Sequence, residues 1–72
     1  MKRNTPEMQA WLDEWPAGSK GVFGGRQKHQ VTVVEAFWEL GFPCLRFVEE
    51  GTGHTYYCRY GRRRELKHKE GG

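Results

Sequence analysis

Apolar residues recur with helical spacing near the start of the chain. Trp11, Leu12 and Trp15 follow Met8 by three, four and seven positions, which places all four side chains on one face of an α-helix. Thr5 is suited to cap this helix, Pro6 to occupy its first turn, and Pro16 to end it. The apolar stripe, which we predict to be core, consists of Met8, Trp11, Leu12 and Trp15.

A second apolar segment predicts another helix over residues 33–40. Thr32 and Glu35 have the spacing of a capping box, and Gly41 is a natural helix stop. The β-branched run at residues 31–34 leaves the alternative of a short strand that leads into this helix. The polar arc of such a helix holds Thr32, Glu35 and Glu39.

The second half of the chain alternates between apolar and polar residues, as a β-hairpin does. Residues 44–48 and 55–60 are the two strands, and residues 50–53 supply a glycine-containing turn. The inner face of the hairpin is predicted to hold Leu45, Phe47, Tyr56, Cys58 and Tyr60. The outer face is predicted to hold Cys44, Arg46, Tyr57 and Arg59.

These elements define a small α+β fold of two short helices followed by a β-hairpin, with a basic C-terminal tail. A glycine-rich loop or irregular strand at residues 17–30 joins the helices. A helix followed by a hairpin is the plan of a winged helix, so the fold is predicted to be winged-helix-like. The 72 residues are predicted to form one domain, with residues 1–4 and 62–72 flexible.

Charge is distributed unevenly along the chain. Residues 59–69 hold six arginines and lysines against Glu65 alone, a net charge of +5, whereas the whole chain carries +3. The rest of the chain therefore sums to −2. No segment is long and apolar enough to cross a membrane, and two cysteines are too few for a secreted disulfide scaffold. A cytoplasmic location is the default expectation.

Residues capable of catalysis are sparse, and no enzyme, cofactor or metal is predicted. The chain has one serine, Ser19, and one aspartate, Asp13. Residues 65–67 resemble the E-x-K part of a metal-dependent nuclease signature, but the Pro-Asp expected before it is absent. Two weaker hypotheses stay open. One is a Cys44–Cys58 disulfide; the other is a zinc site built from Cys44, His54, Cys58 and His68.

The basic and aromatic residues favour binding of an anionic partner. Clustered cations neutralise phosphates, and aromatic side chains beside arginine stack on bases. The favoured function is a small, non-enzymatic, nucleic-acid-binding protein with a regulatory or accessory role. The acids of the second helix would repel phosphate, so the contacts are assigned to the hairpin and tail. The predicted binding residues are Arg46, Tyr57, Arg59, Arg62, Arg63, Arg64, Lys67 and Lys69, with Lys20, Arg26 and Lys28 as a second edge.

A protein partner is the alternative. A small inhibitor or adaptor can dock on an acidic protein surface, including the nucleic-acid site of an enzyme. Trp38 and Phe42 are the candidate interface residues, because aromatic residues are enriched at binding hot spots. Self-association as a homodimer also stays open.

Overall fold

One short helix and five antiparallel strands form the fold in the computed structural model, which describes residues 6–69. Helix α1 confirms the predicted first helix, although its predicted cap, Thr5, lies outside the described residues. Residues 1–4 and 70–72, predicted to be flexible, also lie outside them. In chain order the elements are α1 (Pro6–Asp13), β1 (Lys20–Phe23), β2 (His29–Glu39), β3 (Phe42–Glu49), β4 (Thr55–Arg59), a 3-10 helix (Tyr60–Glu65) and β5 (Leu66–His68).

The five strands form a single sheet in the order β4-β3-β2-β1-β5. In a flat sheet, four strand spacings would separate β4 from β5 by about 19 Å. The 3-10 helix that connects these two strands has six residues, which rise only about 12 Å. The sheet must therefore curl, and Cys58 of β4 and Leu66 of β5 accordingly lie in the same core cluster.

The predicted second helix is wrong, because residues 33–40 belong almost entirely to strand β2. This strand pairs with β1 on one side and β3 on the other. Its β-branched and aromatic residues suit a pleated strand better than a helix. Among the described residues α1 is the single α-helix, so the winged-helix arrangement, which needs the second helix, is also wrong.

The predicted hairpin corresponds to strands β3 and β4. Leu45 pairs with Cys58, and Phe47 pairs with Tyr56, which confirms that these four residues share one face. Cys44 lies on the opposite face as predicted, yet it is buried. The basic tail was predicted to be flexible, but residues 60–68 form the 3-10 helix and β5, and Leu66 is buried.

Helix α1 closes the inner side of the curled sheet. Trp15 is 2% exposed, and its ring stacks on His68 of β5 at 3.9 Å. Trp11 meets Tyr60 edge-on at 5.6 Å. The predicted apolar stripe of α1 is therefore part of the core, which also contains Val31, Val33, Leu45, Phe47, Cys58 and Leu66.

Candidate functional site

A shallow groove of about 610 Å³ lies on the outer face of β2, β3 and β4, and a second of about 510 Å³ lies beside β1 and β5. We call the first the hairpin face and the second the basic groove. The hairpin face is lined by Glu35, Phe37, Trp38, Glu39, Cys44, Arg46, Tyr57 and Arg59. The basic groove is lined by Val22, Gly24, Gly25, Lys28, Gln30, Arg64, Glu65, Lys67, His68 and Lys69.

The loop between β1 and β2 forms one wall of the basic groove. Gly24 has a φ of +113°, and a Cβ at this position would lie 2.2 Å from the carbonyl oxygen of Gln27. Only glycine allows so tight a loop. The backbone N–H of Gly24 donates to the carbonyl oxygen of Glu65 at 2.9 Å. This bond fixes the loop, which carries Lys28, against the end of the 3-10 helix.

Strand β5 supplies the opposite wall of the basic groove. Lys67 is paired with Val22 of β1, whose other neighbour is Gln30 of β2. Lys69 follows two residues later, and its backbone N–H donates to the carbonyl oxygen of Lys20 at 3.4 Å. The sheet register therefore places Lys67 beside the apolar floor residue Val22, with Lys69 about 6.6 Å further along the same side of the strand.

The four cations that line the basic groove are Lys28, Arg64, Lys67 and Lys69. Within residues 6–69, no ion pair involves Lys28, Arg64, Lys67 or Lys69, and all four side chains are exposed. The carboxylate of Glu65, which also lines the groove, accepts from Arg62 at 3.0 Å. Among the described residues, the groove therefore carries an excess of positive charge that no ion pair neutralises.

Four of the predicted binding residues, Lys20, Arg26, Arg62 and Arg63, line neither the basic groove nor the hairpin face. Arg62 is paired with Glu65, and the guanidinium of Arg63 lies 4.0 Å above the ring of Tyr60. Lys20 donates to Glu50 at 3.1 Å; this bond, and more weakly the charge of Lys69, lowers the pKa of Glu50. Arg26 is exposed on the β1–β2 loop but does not line the groove.

The arginines of the hairpin face are neutralised by glutamates. Arg46 pairs with Glu35, and Arg59 lies 4.0 Å from Glu39. Both glutamates belong to β2, where the sequence predicted the polar arc of a helix. The prediction that Arg46, Tyr57 and Arg59 share one face is correct, but that face balances two arginines with two glutamates.

Aromatic side chains concentrate on or near the hairpin face. Tyr57 is exposed on β4, and its ring lies edge-on to that of Phe37 at 6.3 Å. Trp38 and Phe42 are exposed near the β2–β3 turn. The structure thus separates the aromatic residues from the unpaired cations, which the sequence had combined in a single binding surface.

The structure does not bring together the residues of the predicted disulfide or of the predicted zinc site. Cys44 and Cys58 are free and buried, on opposite faces of the hairpin. His68 stacks on Trp15, whereas the ring of His54 lies 5.3 Å from that of Tyr56. No group of three or more metal-ligating side chains occurs in residues 6–69. In the E-x-K segment, Leu66 is core and separates a paired glutamate from a lysine of the groove.

A hydrogen-bonded cluster surrounds Glu49 at the far end of β3. Its carboxylate bonds to the His29 ring at 3.1 Å, and it accepts from the hydroxyls of Thr52 and Tyr56, each at 3.1 Å. The bond to His29 is the main cause that lowers the pKa of Glu49. This cluster joins the starts of β2 and β4 to the end of β3.

Several residues of the two surfaces were not predicted from the sequence as site residues. Gly24, Gly25 and Gln30 line the basic groove, and Glu35 and Glu39 neutralise the hairpin face. If residues 31–39 had been interpreted as a strand, the alternation would have placed Glu35 and Glu39 on one face. In the sequence, Gly24 and Gly25 were predicted only as part of a glycine-rich loop or irregular strand.

Comparisons of the chain with protein-family models, with curated proteins and with solved structures give no match. The described residues include no helix with the length and apolar character needed to cross a membrane. The two surfaces are therefore the basis for assigning a function.

Proposed function

We propose that the protein is a small, non-enzymatic nucleic-acid-binding protein with a regulatory or accessory role, and that the basic groove is its binding site. The observation that carries the proposal is a set of four exposed cations that form no ion pair within residues 6–69: Lys28, Arg64, Lys67 and Lys69. Phosphate groups would neutralise them and release condensed counterions, which favours binding.

The lining of the basic groove favours contact with the sugar–phosphate backbone over contact with bases. Its members are cations, glycines, Gln30, Glu65, His68 and Val22, and the ring of His68 is occupied by its stacking on Trp15. No phenylalanine, tyrosine or tryptophan lines it. Base stacking in single-strand binders uses such rings. Binding through this groove is therefore expected to depend little on base sequence.

Arg46, Tyr57 and Arg59 no longer belong to the proposed nucleic-acid site. Glu35 and Glu39 lie within reach of the two arginines, and a phosphate at this face would meet both carboxylates. Displacement of these ion pairs would offset much of the electrostatic gain.

A salt titration tests the proposal. The chain is mixed with mixed-sequence duplex DNA, single-stranded DNA and duplex RNA, and the dissociation constant is measured at increasing salt concentration. Four neutralised phosphates on duplex DNA predict a slope of log K against log salt of about −3.6. Absence of binding to all three nucleic acids at low salt contradicts the proposal and leaves an acidic protein surface as the ligand class for this groove.

A further inference from the structure

Lys20 lies directly beside the basic groove, on the strand next to Lys69. The β1–β5 register pairs Val22 with Lys67, so that two residues further along Lys20 lies opposite Lys69. The backbone N–H of Lys69 donates to the carbonyl oxygen of Lys20 at 3.4 Å, which continues this register. Residues opposite each other on antiparallel strands share a face. Lys20 and Lys69 are therefore neighbours on the face that carries Val22 and Lys67.

The positive charge of Lys20 is engaged by Glu50. The ammonium group donates to the Glu50 carboxylate at 3.1 Å and to the Thr32 hydroxyl at 3.2 Å. The Thr32 hydroxyl donates in turn to the same carboxylate oxygen at 3.2 Å. The side chain of Lys20 is 56% exposed and that of Glu50 is 40% exposed. Because an ion pair this open to water contributes little stability, a phosphate can replace the carboxylate at little cost to the fold.

The main chain anchors Glu50 beside the groove independently of its side-chain bonds. Its backbone N–H donates to the carbonyl oxygen of Gln30, a residue that lines the groove, at 2.8 Å. The hydrogen bond from Lys20 is the main cause that lowers the pKa of Glu50, and the charge of Lys69 adds to the effect. The Glu50 carboxylate therefore acts on two neighbouring cations, one of which belongs to the groove.

Two lysines opposite each other on neighbouring strands repel, and an anion beside them relieves the repulsion. Within the described residues Glu50 is that anion, and a phosphate bound to Lys69 would compete with it for Lys20. We propose that Glu50 is an internal competitor of phosphate, which withholds Lys20 as a fifth cation of the basic groove and so limits the affinity for nucleic acid. The inference rests on the proposed function and assigns an autoinhibitory contact to the same site.

The test compares the wild type with three variants: Glu50→Gln, Glu50→Gln combined with Lys20→Ala, and Glu35→Gln. The last is the matched control, because it also removes one negative charge from an exposed ion pair, that with Arg46 on the hairpin face. The dissociation constant for mixed-sequence duplex DNA is measured against salt concentration for each protein. Circular dichroism and thermal melts first show that all four are folded.

Glu50→Gln is expected to free Lys20 for a fifth phosphate, so the slope of log K against log salt steepens by about 0.9. At low salt its dissociation constant is expected to fall about twofold to fivefold, which corresponds to the free energy of an exposed ion pair. Adding Lys20→Ala is expected to return the slope to the wild-type value. Glu35→Gln is expected to keep the wild-type slope, since the hairpin face lies outside the groove.

Two results would overturn the inference while leaving the groove as the binding site. One is a slope and affinity of Glu50→Gln that match those of Glu35→Gln. The other is a gain that persists when Lys20 is also replaced, because Lys20 would then not be the withheld cation. Absence of binding by all four proteins would overturn the proposed function itself, and this inference with it.

Discussion

Gly21 of β1 lies directly beneath the ring of Trp15, which follows α1. A Cβ at this position would lie 2.8 Å from the ring of Trp15 and 2.9 Å from the carbonyl oxygen of Lys67. Trp15 is held between this glycine and the ring of His68. The absence of a side chain at Gly21 therefore allows the Trp15 ring, just after α1, to pack against β1 and β5, the strands that form the basic groove.

Gly21→Ala is expected to lower the free energy of unfolding by about 1–3 kcal/mol, the usual cost of overpacking a core. Neither a backbone carbonyl in a strand pair nor a buried tryptophan can move easily. Gly25→Ala is the matched control, because no atom lies within 4 Å of a Cβ there. Denaturant unfolding measures both variants. Equal stability of the two would contradict the described packing of Trp15.

Glu49 is expected to make the stability of the protein sensitive to acid. Its hydrogen bond with His29, the main cause, lowers the pKa of Glu49 in the folded protein. A carboxyl whose pKa is lower in the folded state stabilises the fold above its unfolded pKa of about 4.3. That stabilisation is lost as the pH falls through the folded pKa.

Measurements of the free energy of unfolding between neutral pH and pH about 3 test whether stability falls with pH as expected. The wild type is expected to lose stability more steeply over the acidic part of the range than Glu49→Gln does. The remaining carboxylates, including Glu50, are common to both proteins and cancel in the comparison. If the free energies of unfolding of the two proteins changed in parallel with pH, the bond between His29 and Glu49 would not contribute to the acid sensitivity.

Strand β2 shows why the predicted second helix is wrong. The pairing with β3 shifts register between Val33 and Glu35, so Val34 is an extra residue in the strand. Such a bulge interrupts the alternation of apolar and polar positions, and the resulting run of apolar residues imitates a buried helix. Leu40–Gly41 lacks the Asn-Gly pattern that would have indicated a hairpin turn.

Strand β5 escaped detection for a different reason. It has only three residues, and Leu66 is its single core residue within a basic run. A strand this short carries too little periodicity to be recognised, and pairing with β1 defines it. By contrast, the residues around Arg46 in β3 and those of β4 alternate between apolar and polar, so the shared face of Arg46, Tyr57 and Arg59 was predictable.

The register of the hairpin and the burial of both cysteines predict that neither thiol reacts readily in the folded protein. Cys58 pairs with Leu45, and Cys44 pairs with Arg59, so the thiols point to opposite faces. Burial raises the pKa of the Cys58 thiol to about 11 and also raises that of Cys44. At pH 8 about one Cys58 thiol in a thousand would be ionised, against about one in four for an ordinary thiol.

Thiol labelling at pH 8 is expected to be slow in the native protein and fast after denaturation. Mild oxidation of the native protein is expected to give no intramolecular disulfide. Labelling of the native chain at the denatured rate, or a Cys44–Cys58 crosslink, would contradict the register.

At the scale of the whole molecule, the sheet separates two kinds of charged surface. On β2, β3 and β4 the arginines lie beside glutamates, and the surface is balanced. In the basic groove, the cations Lys28, Arg64, Lys67 and Lys69 form no ion pair with any residue among 6–69. The net charge of +3 is therefore less informative than its distribution, which separates an excess of positive charge in the basic groove from a balanced hairpin face.

Two double variants that each remove two positive charges test most directly whether the basic groove is the nucleic-acid-binding site. Arg64→Ala with Lys67→Ala removes two cations from the basic groove, and Arg46→Ala with Arg59→Ala removes two from the hairpin face. Affinity for duplex DNA is measured against salt for both, at chain concentrations too low for self-association, after circular dichroism has shown that both are folded. The groove variant is expected to bind more weakly and to lose about 1.8 from the salt slope, whereas the hairpin-face variant keeps nearly the wild-type slope. Equal losses in the two variants, or a larger loss from the hairpin face, would contradict the assignment of the groove as the binding site.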